Sequence, residues 1–111
     1  MYILKIKDIP KNERPRERLI KYGVENLSNE ELLSIIIKTG TKDYSVKAIS
    51  QILLNEIKDI KSLKDITLNK LTNIKGIGKV KAIELLASIE LGKRVFEEEK
   101  KTQNYGKFTD H

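Results

Sequence analysis

Apolar residues recur along most of the chain at the three- and four-residue spacing of amphipathic α-helices, which predicts a helical protein. A weak alternation of isoleucine and lysine over residues 1–9 predicts only an extended lead-in. We therefore expect an all-α fold, a compact bundle of five to six short helices. The predicted helices are Arg14–Tyr22, a segment from Ser28 to Thr39, one from Ser45 through Ile57, a short one over Ser62–Ile66, one from Thr67 through Ile74, and one from just after Gly78 to about Phe96.

Residues that favour helix starts and stops stand at these boundaries. Pro15 suits the first turn of a helix, and Gly23 suits its C-terminal end. Glu31 stands three residues after a serine, which is the spacing of a capping box. Three helices have a hydroxyl side chain at the predicted N-cap, where its oxygen can accept from a free amide: Ser28, Ser45 and Thr67.

The length of 111 residues suits one small domain and is too short for two. We assign residues 1–96 to a helical domain. Residues 97–111 lose the apolar period, so we expect them to form a frayed helix end and then a disordered tail or linker.

The composition excludes several classes of protein. The absence of cysteine excludes disulfides, a cysteine-based zinc site, an iron–sulfur cluster and a thiol nucleophile. The one histidine, His111, excludes a Ser-His-Asp triad and a histidine-rich metal site. The longest apolar run, residues 35–37, is far below the roughly 20 residues of a membrane span, and the N-terminus lacks the apolar stretch of a signal peptide. We expect a cytoplasmic protein that is not an enzyme.

The charge points to an acidic partner. With 22 Lys and Arg against 16 Asp and Glu, the net charge of +6 favours nucleic acid first and an anionic membrane second. Residues 67–96, with 6 basic and 2 acidic groups, carry +4, residues 1–27 carry +3, and residues 28–66 are neutral. A simple alternative is that the lysines are ordinary solvated surface residues and bind no acidic partner.

The strongest local feature is LTNIKGIGKVKAIELL, residues 71–86. Gly76 and Gly78 permit turn conformations closed to other residues and leave the turn without side-chain bulk, so a sugar-phosphate strand can approach the backbone. Ile77 between them is expected to point inward. The next helix starts at once, so its free N–H groups and positive dipole end suit an anion. The candidate nucleic-acid-binding residues are Lys75, Gly76, Ile77, Gly78, Lys79 and Lys81.

Residues 68–90 resemble the helix-hairpin-helix motif of sequence-independent DNA-binding proteins. The resemblance implies that the backbone amides of residues 76–79 bind consecutive phosphates of one strand. It also implies a monovalent cation at the hairpin carbonyls; we expect no other cofactor and no metal. The alternative is a tight helical hairpin that serves packing alone. One hairpin contacts few phosphates, so we expect weak, salt-sensitive binding.

A wider resemblance covers about residues 5–96. The stretches that carry it are RPRERLIKYG (14–23), LSNEELLSIIIKTGTK (27–42), SVKAISQILL (45–54) and IKGIGKVKAIELLASIELGKR (74–94). Together they resemble the N-terminal region of the RadC family, whose members also have a C-terminal JAB/MPN-type metal-dependent domain. That domain needs a His-x-His pair, which this chain lacks. The resemblance implies DNA association, with a role in DNA repair or recombination, and a truncated chain. The competing hypothesis is a protein-interaction or regulatory scaffold module without direct DNA binding.

The stretch from Leu32 to Leu53 also resembles the opening helices of DNA glycosylases of the endonuclease III type. In those enzymes a catalytic lysine follows the hairpin by two residues, and here that position is Val80. Residues 82–109 contain no aspartate for the second catalytic role. The resemblance therefore does not extend to glycosylase activity.

Other residues have two interpretations. The arginines Arg14, Arg16 and Arg18 either bind phosphate or, as we favour, form ion pairs with Glu13, Glu17 and Glu25. Residues 39–42 either contact phosphate or, more simply, end a helix. Glu30 and Glu31 fit the first turn of a helix, where the dipole favours acids. We therefore expect no catalytic carboxylate among them or in residues 97–99.

Overall fold

The computed structural model describes the backbone of residues 13–108 and the side chains of residues 13–98. In this part of the chain there are helices and no strands, which confirms the all-α prediction. Two short 3₁₀ turns, Val24–Asn26 and Ile60–Asp65, connect the longer elements. The α-helices are α1 (Pro15–Tyr22), α2 (Asn29–Ile37), α3 (Val46–Ile57), α4 (Leu68–Thr72) and α5 (Lys79–Phe108).

The helix caps follow the predicted residues closely. Ser28 Oγ accepts from the Glu31 amide at 3.1 Å, and Glu31 Oε1 accepts from the Ser28 amide at 3.0 Å, so the capping box before α2 is confirmed. The Ser45 and Thr67 hydroxyls cap α3 and α4 by accepting from the Ala48 and Lys70 amides. Gly23 ends α1 with φ at 91°, a conformation that favours glycine.

The helix ends differ from the prediction in three places. Helix α2 ends at Ile37, before the predicted Thr39, and the segment predicted as a helix over 62–66 is the 3₁₀ turn over 60–65. Helix α4 ends at Thr72, so Ile74 lies in the following turn. In the last case the buried side chain of Ile74 continues the apolar period past the end of the helix.

Helix α5 continues to Phe108, beyond the predicted end near Phe96, so the backbone is helical over residues 97–108, where we expected a frayed helix end and then a disordered tail or linker. The apolar period is lost over these residues. Glutamate and lysine are nevertheless good helix formers, and neither glycine nor proline interrupts residues 97–105. The predicted lead-in over residues 1–9 and the last three residues lie outside the described part of the chain.

The core is aliphatic and joins α2, α3, α4 and α5. Ile49, Leu53 and Leu71 are completely buried at its centre. The one buried polar pair is satisfied among the described residues, because Ser50 Oγ donates to the Val46 carbonyl at 2.9 Å and Ser34 Oγ can donate to Ser50 Oγ at 3.1 Å. The remaining core residues are Leu33, Ile37, Val46, Ile57, Ile74, Ile77, Ala82 and Leu85.

An ion pair attaches α1 to α2. Arg18 Nε lies 2.5 Å from Glu31 Oε2, and the guanidinium also stands 5.2 Å from the centre of the Tyr22 ring. Burial acts to raise the pKa of Glu31, but the hydrogen bonds from the Ser28 backbone and from Arg18, with the arginine charge, outweigh it and hold that pKa below its usual value. Arg18 is therefore structural, as we favoured, although its partner is Glu31 rather than a predicted one.

We expect Glu31→Gln to lower the free energy of unfolding by about 0.5–1 kcal/mol at pH 7, since the amide keeps the cap geometry and loses the charge. Because the pKa of Glu31 is lowered in the folded state, the stabilisation is present above the unfolded value of 4.5 and is lost as the pH falls through the lower folded value. Urea unfolding of the wild type and of Glu31→Gln at pH 7 and pH 3 measures the difference in the free energy of unfolding, which should be smaller at pH 3.

Glu30→Gln is the matched control, since Glu30 stands in the same helical turn and only approaches Lys47, at 4.0 Å. If the free energy of unfolding of the wild type exceeded that of Glu31→Gln by the same amount at pH 7 and at pH 3, the stabilisation would not come from the charge of Glu31.

Candidate nucleic-acid interface

The turn between α4 and α5 is closed by its own backbone. The Ile74 amide donates to the Leu71 carbonyl at 3.0 Å, and the Ile77 amide donates to the Ile74 carbonyl at 3.0 Å. Ile74 and Ile77 both point their side chains into the core, with 5% and 3% of their surface exposed. The turn over residues 73–78 is thus fastened to the bundle at two positions, and Ile77 points inward as predicted.

Gly76 is the position where this turn needs glycine. Its φ is 91°, and a Cβ there would lie 2.5 Å from both Cδ1 and Cγ1 of Ile49. Ile49 is completely buried on α3 and has no room to withdraw. The missing side chain therefore allows both the backbone conformation and the contact with α3.

Gly78 has a different environment. Its φ is outside the left-handed region, and a Cβ there would meet nothing within 4 Å. Neither packing nor strain in the described fold requires glycine at this position. The space beside Gly78 is open to solvent.

Helix α5 begins directly at this open space. The Gly78 carbonyl accepts the first helical hydrogen bond, from the Ala82 amide at 3.0 Å, which makes Gly78 the N-cap. A glycine N-cap has no side chain to accept from the first amides, unlike the hydroxyl caps of α2, α3 and α4. Within residues 13–98 the amides of Gly78 and Lys79 have no acceptor, whereas the Ile77 amide is already used inside the turn.

The three candidate lysines have different surroundings. Lys75 and Lys79 are exposed, and neither forms an ion pair with the described part of the chain. Lys81 Nζ instead donates to the carbonyl oxygen of Thr39 and, at 3.2 Å, to its hydroxyl. Lys81 therefore ties the first turn of α5 to the loop after α2.

A second contact runs between the same two segments. Lys38 Nζ lies 2.9 Å from Glu84 Oε2, so the acidic side chain on the second turn of α5 is paired with a lysine from the α2–α3 loop. Thr39 was predicted either to end a helix or to contact phosphate. It follows the end of α2 and holds Lys81, a contact between residues 42 positions apart that no local signal in the sequence indicates.

The other basic candidates lie on α1. Arg14 and Arg16 border a cavity between α1 and the C-terminal end of α2, which Lys38 also lines. The predicted arginine cluster is therefore divided, with Arg18 paired across to α2 and two arginines at the cavity. Among the described residues, no group of His, Asp and Glu side chains is arranged to hold a metal ion, and no helix has the length and apolarity to cross a membrane.

The fold and this site define a small all-α protein in which a glycine turn precedes the basic start of a long helix. The chain belongs to the UPF0758 family, because the family model described as "UPF0758 N-terminal" matches residues 6–83. It is 51% identical over 92 residues to the UPF0758 protein YsxA of Bacillus subtilis, covering 83% of this chain and 40% of that protein. No solved structure matches the chain.

Two further relatives give the same picture. A UPF0758 protein of Bacillus licheniformis is 48% identical over 92 residues, covering 83% of this chain and 41% of that protein. One of Clostridium botulinum is 48% identical over 90 residues, covering 81% of this chain and 40% of that protein. The chain thus spans about two fifths of the length of these curated relatives. The UPF0758 match confirms the family that was predicted from the resemblance to the RadC N-terminal region. The helix-hairpin-helix interpretation of residues 68–90 stays a prediction.

We expect Gly76→Ala to lower the free energy of unfolding by about 2–4 kcal/mol, because it combines a left-handed φ with an overpacked contact against Ile49. Gly78→Ala is the matched control in the same turn and should cost less than about 1 kcal/mol, the loss of a favourable N-cap. Thermal and urea unfolding compare the two, and equal costs would contradict the different roles of the two glycines.

Proposed function

We propose that the chain binds the DNA backbone without sequence specificity, through a helix-hairpin-helix motif over residues 68–90. The observation that carries the proposal is the open space at Gly78, bordered by unpaired amides and by exposed lysines. A phosphate placed there accepts from the Gly78 and Lys79 amides and faces the positive end of the α5 dipole. Ile77 contributes its buried side chain, which holds the turn in position, rather than its amide.

The three lysines have two different roles: two attract phosphates and the third positions the loop. Lys75 and Lys79 are the groups available to neighbouring phosphates. Lys81 is held by Thr39, so it adds positive charge to the surface and keeps the α2–α3 loop close to the start of α5. The pairing of Glu84 with Lys38 removes a charge that would repel the strand.

This interface supports backbone binding rather than base recognition. Its donors are main-chain amides and flexible ammonium groups, which contact phosphates and carry no sequence information. A few phosphate contacts correspond to a Kd of roughly 10⁻⁴ to 10⁻⁶ M that weakens as salt rises. A monovalent cation at the turn carbonyls and a cytoplasmic role in DNA repair or recombination complete the proposal. No catalytic activity is proposed for this region.

The competing function is a protein-interaction or regulatory module that acts on a partner or on the remaining three fifths of a longer relative. The exposed apolar side chains of α5 favour it. The two functions differ in one measurable respect, since only DNA binding depends on the open space at Gly78.

We expect Gly78→Asp to abolish most DNA binding while leaving the fold intact. The new side chain meets nothing within 4 Å and is a good N-cap, so stability should be kept or raised. Its carboxylate then accepts from the Val80 or Lys81 amide, as an N-cap does, and its negative charge stands beside the proposed phosphate position and repels a phosphate. Fluorescence anisotropy with single-stranded and duplex oligonucleotides at 50 and 200 mM salt measures the loss, which should be at least tenfold at the lower salt.

Gly92→Asp is the matched control. It introduces the same charge into α5, at a position where a Cβ also meets nothing within 4 Å, about 21 Å further along the helix. This variant should bind like the wild type, and Lys79→Gln should lower both the affinity and its salt dependence. No binding by the wild type at 50 mM salt, or equal losses in both aspartate variants, would overturn the proposal.

A further inference from the structure

The cavity between α1 and the C-terminal end of α2, which we call the α1–α2 cavity, is lined mainly by basic groups. Its charged lining consists of one acidic side chain, Glu17, and three basic ones, Arg14, Arg16 and Lys38. The volume is about 190 Å³. This is several times the roughly 30 Å³ that a water molecule occupies in the liquid, so the cavity has room for a phosphate group.

Arg16 is the basic group that the fold leaves available at this cavity. Its side chain is exposed and forms no hydrogen bond or ion pair within residues 13–98. Glu13 and Glu17 are both close to it in the chain, so the ion pair that we favoured from the sequence is absent for this arginine. The planar guanidinium has the geometry to bind two oxygens of one phosphate.

The end of α2 does not use this arginine as a cap. The Lys38 amide donates to the Ser34 carbonyl and the Thr39 amide donates to the Ile37 carbonyl, both at 2.9 Å. Two of the carbonyls that a helix leaves free at its C-terminal end are therefore satisfied by the backbone. Capping does not explain why Arg16 stands at the cavity.

Lys38 connects the α1–α2 cavity to the proposed DNA interface. It lines the cavity, and its Nζ lies 2.9 Å from Glu84 Oε2 on the second turn of α5. Lys81, on the first turn of α5, donates to Thr39, the residue after Lys38. Glu84 is about 9 Å along the helix axis from Gly78. Because the phosphates of one strand follow each other at about 3.4 Å along a duplex, a strand that leaves Gly78 along this side of α5 reaches the level of Glu84 after about three phosphates.

We propose that the α1–α2 cavity is a second phosphate site on the path of the DNA, and that Arg16 is the residue that binds the phosphate there. The inference rests on the proposed function and extends it, since the same strand contacts the amides at Gly78 and then the cavity. Lys38, held by Glu84, is a positioning residue that keeps the end of α2 beside α5. A guanidinium that contacts phosphate oxygens raises the affinity without reading the sequence.

Arg16→Gln should lower the affinity for duplex DNA at 50 mM salt at least about threefold. It should also reduce the slope of the logarithm of the affinity against the logarithm of the salt concentration by about 0.9, the contribution of one phosphate contact. The fold should be unchanged, because the side chain is exposed and makes no contact that stabilises the described helices. Fluorescence anisotropy from 50 to 200 mM salt measures both quantities, and circular dichroism checks the fold.

Lys61→Gln is the matched control. It removes one exposed positive charge from the 3₁₀ turn Ile60–Asp65, which contacts α5 far from Gly78, where Lys93 Nζ donates to the Lys64 carbonyl at 3.2 Å. This variant should bind DNA with the affinity and salt slope of the wild type. Equal losses in the two variants, or no loss in Arg16→Gln, overturn the second site even where Gly78→Asp abolishes binding. No binding by the wild type overturns the proposed function and this inference together.

Discussion

The contact between Gly76 and Ile49 is the constraint on which the rest of the site depends. The turn before α5 can lie against α3 only because Gly76 has no side chain where the two segments meet. Ile74 and Ile77 then enter the core on either side of that contact, which sets the direction in which α5 leaves the turn. A side chain at this position would move the start of α5 away from the bundle, and with it the amides and lysines of the proposed interface.

The loop after α2 completes the surface that this contact creates. Lys81 reaches Thr39, and Lys38 reaches Glu84, so two reciprocal contacts fix the loop against the first turns of α5. One consequence is electrostatic, because Glu84 is paired with Lys38 while Lys75 and Lys79 stay exposed. The other is geometric, because the open space at Gly78 is bordered by groups whose positions are already determined by the fold.

Local signals predicted the elements of the fold well. The capping serines and threonine, the first-turn proline and the glycine after α1 each act within one helical turn, so a single sequence is enough to recognise them. The end of α5 was misplaced because the apolar period reports packing, whereas glutamate and lysine continue a helix without it. The same limitation applies within α5, where Val80 and Ile83 are apolar and nevertheless exposed.

The sequence by itself determined the helical class, the helix starts, the glycine turn and the position of the basic residues around it. These features follow from the backbone preferences of single residues and from short-range hydrogen bonds. Only the tertiary structure decided that Gly76 meets Ile49, that Gly78 faces open space, that Arg18 pairs with Glu31 and that Lys81 is held by Thr39. Those contacts join residues far apart in the chain, and they depend on how the helices pack around one shared core.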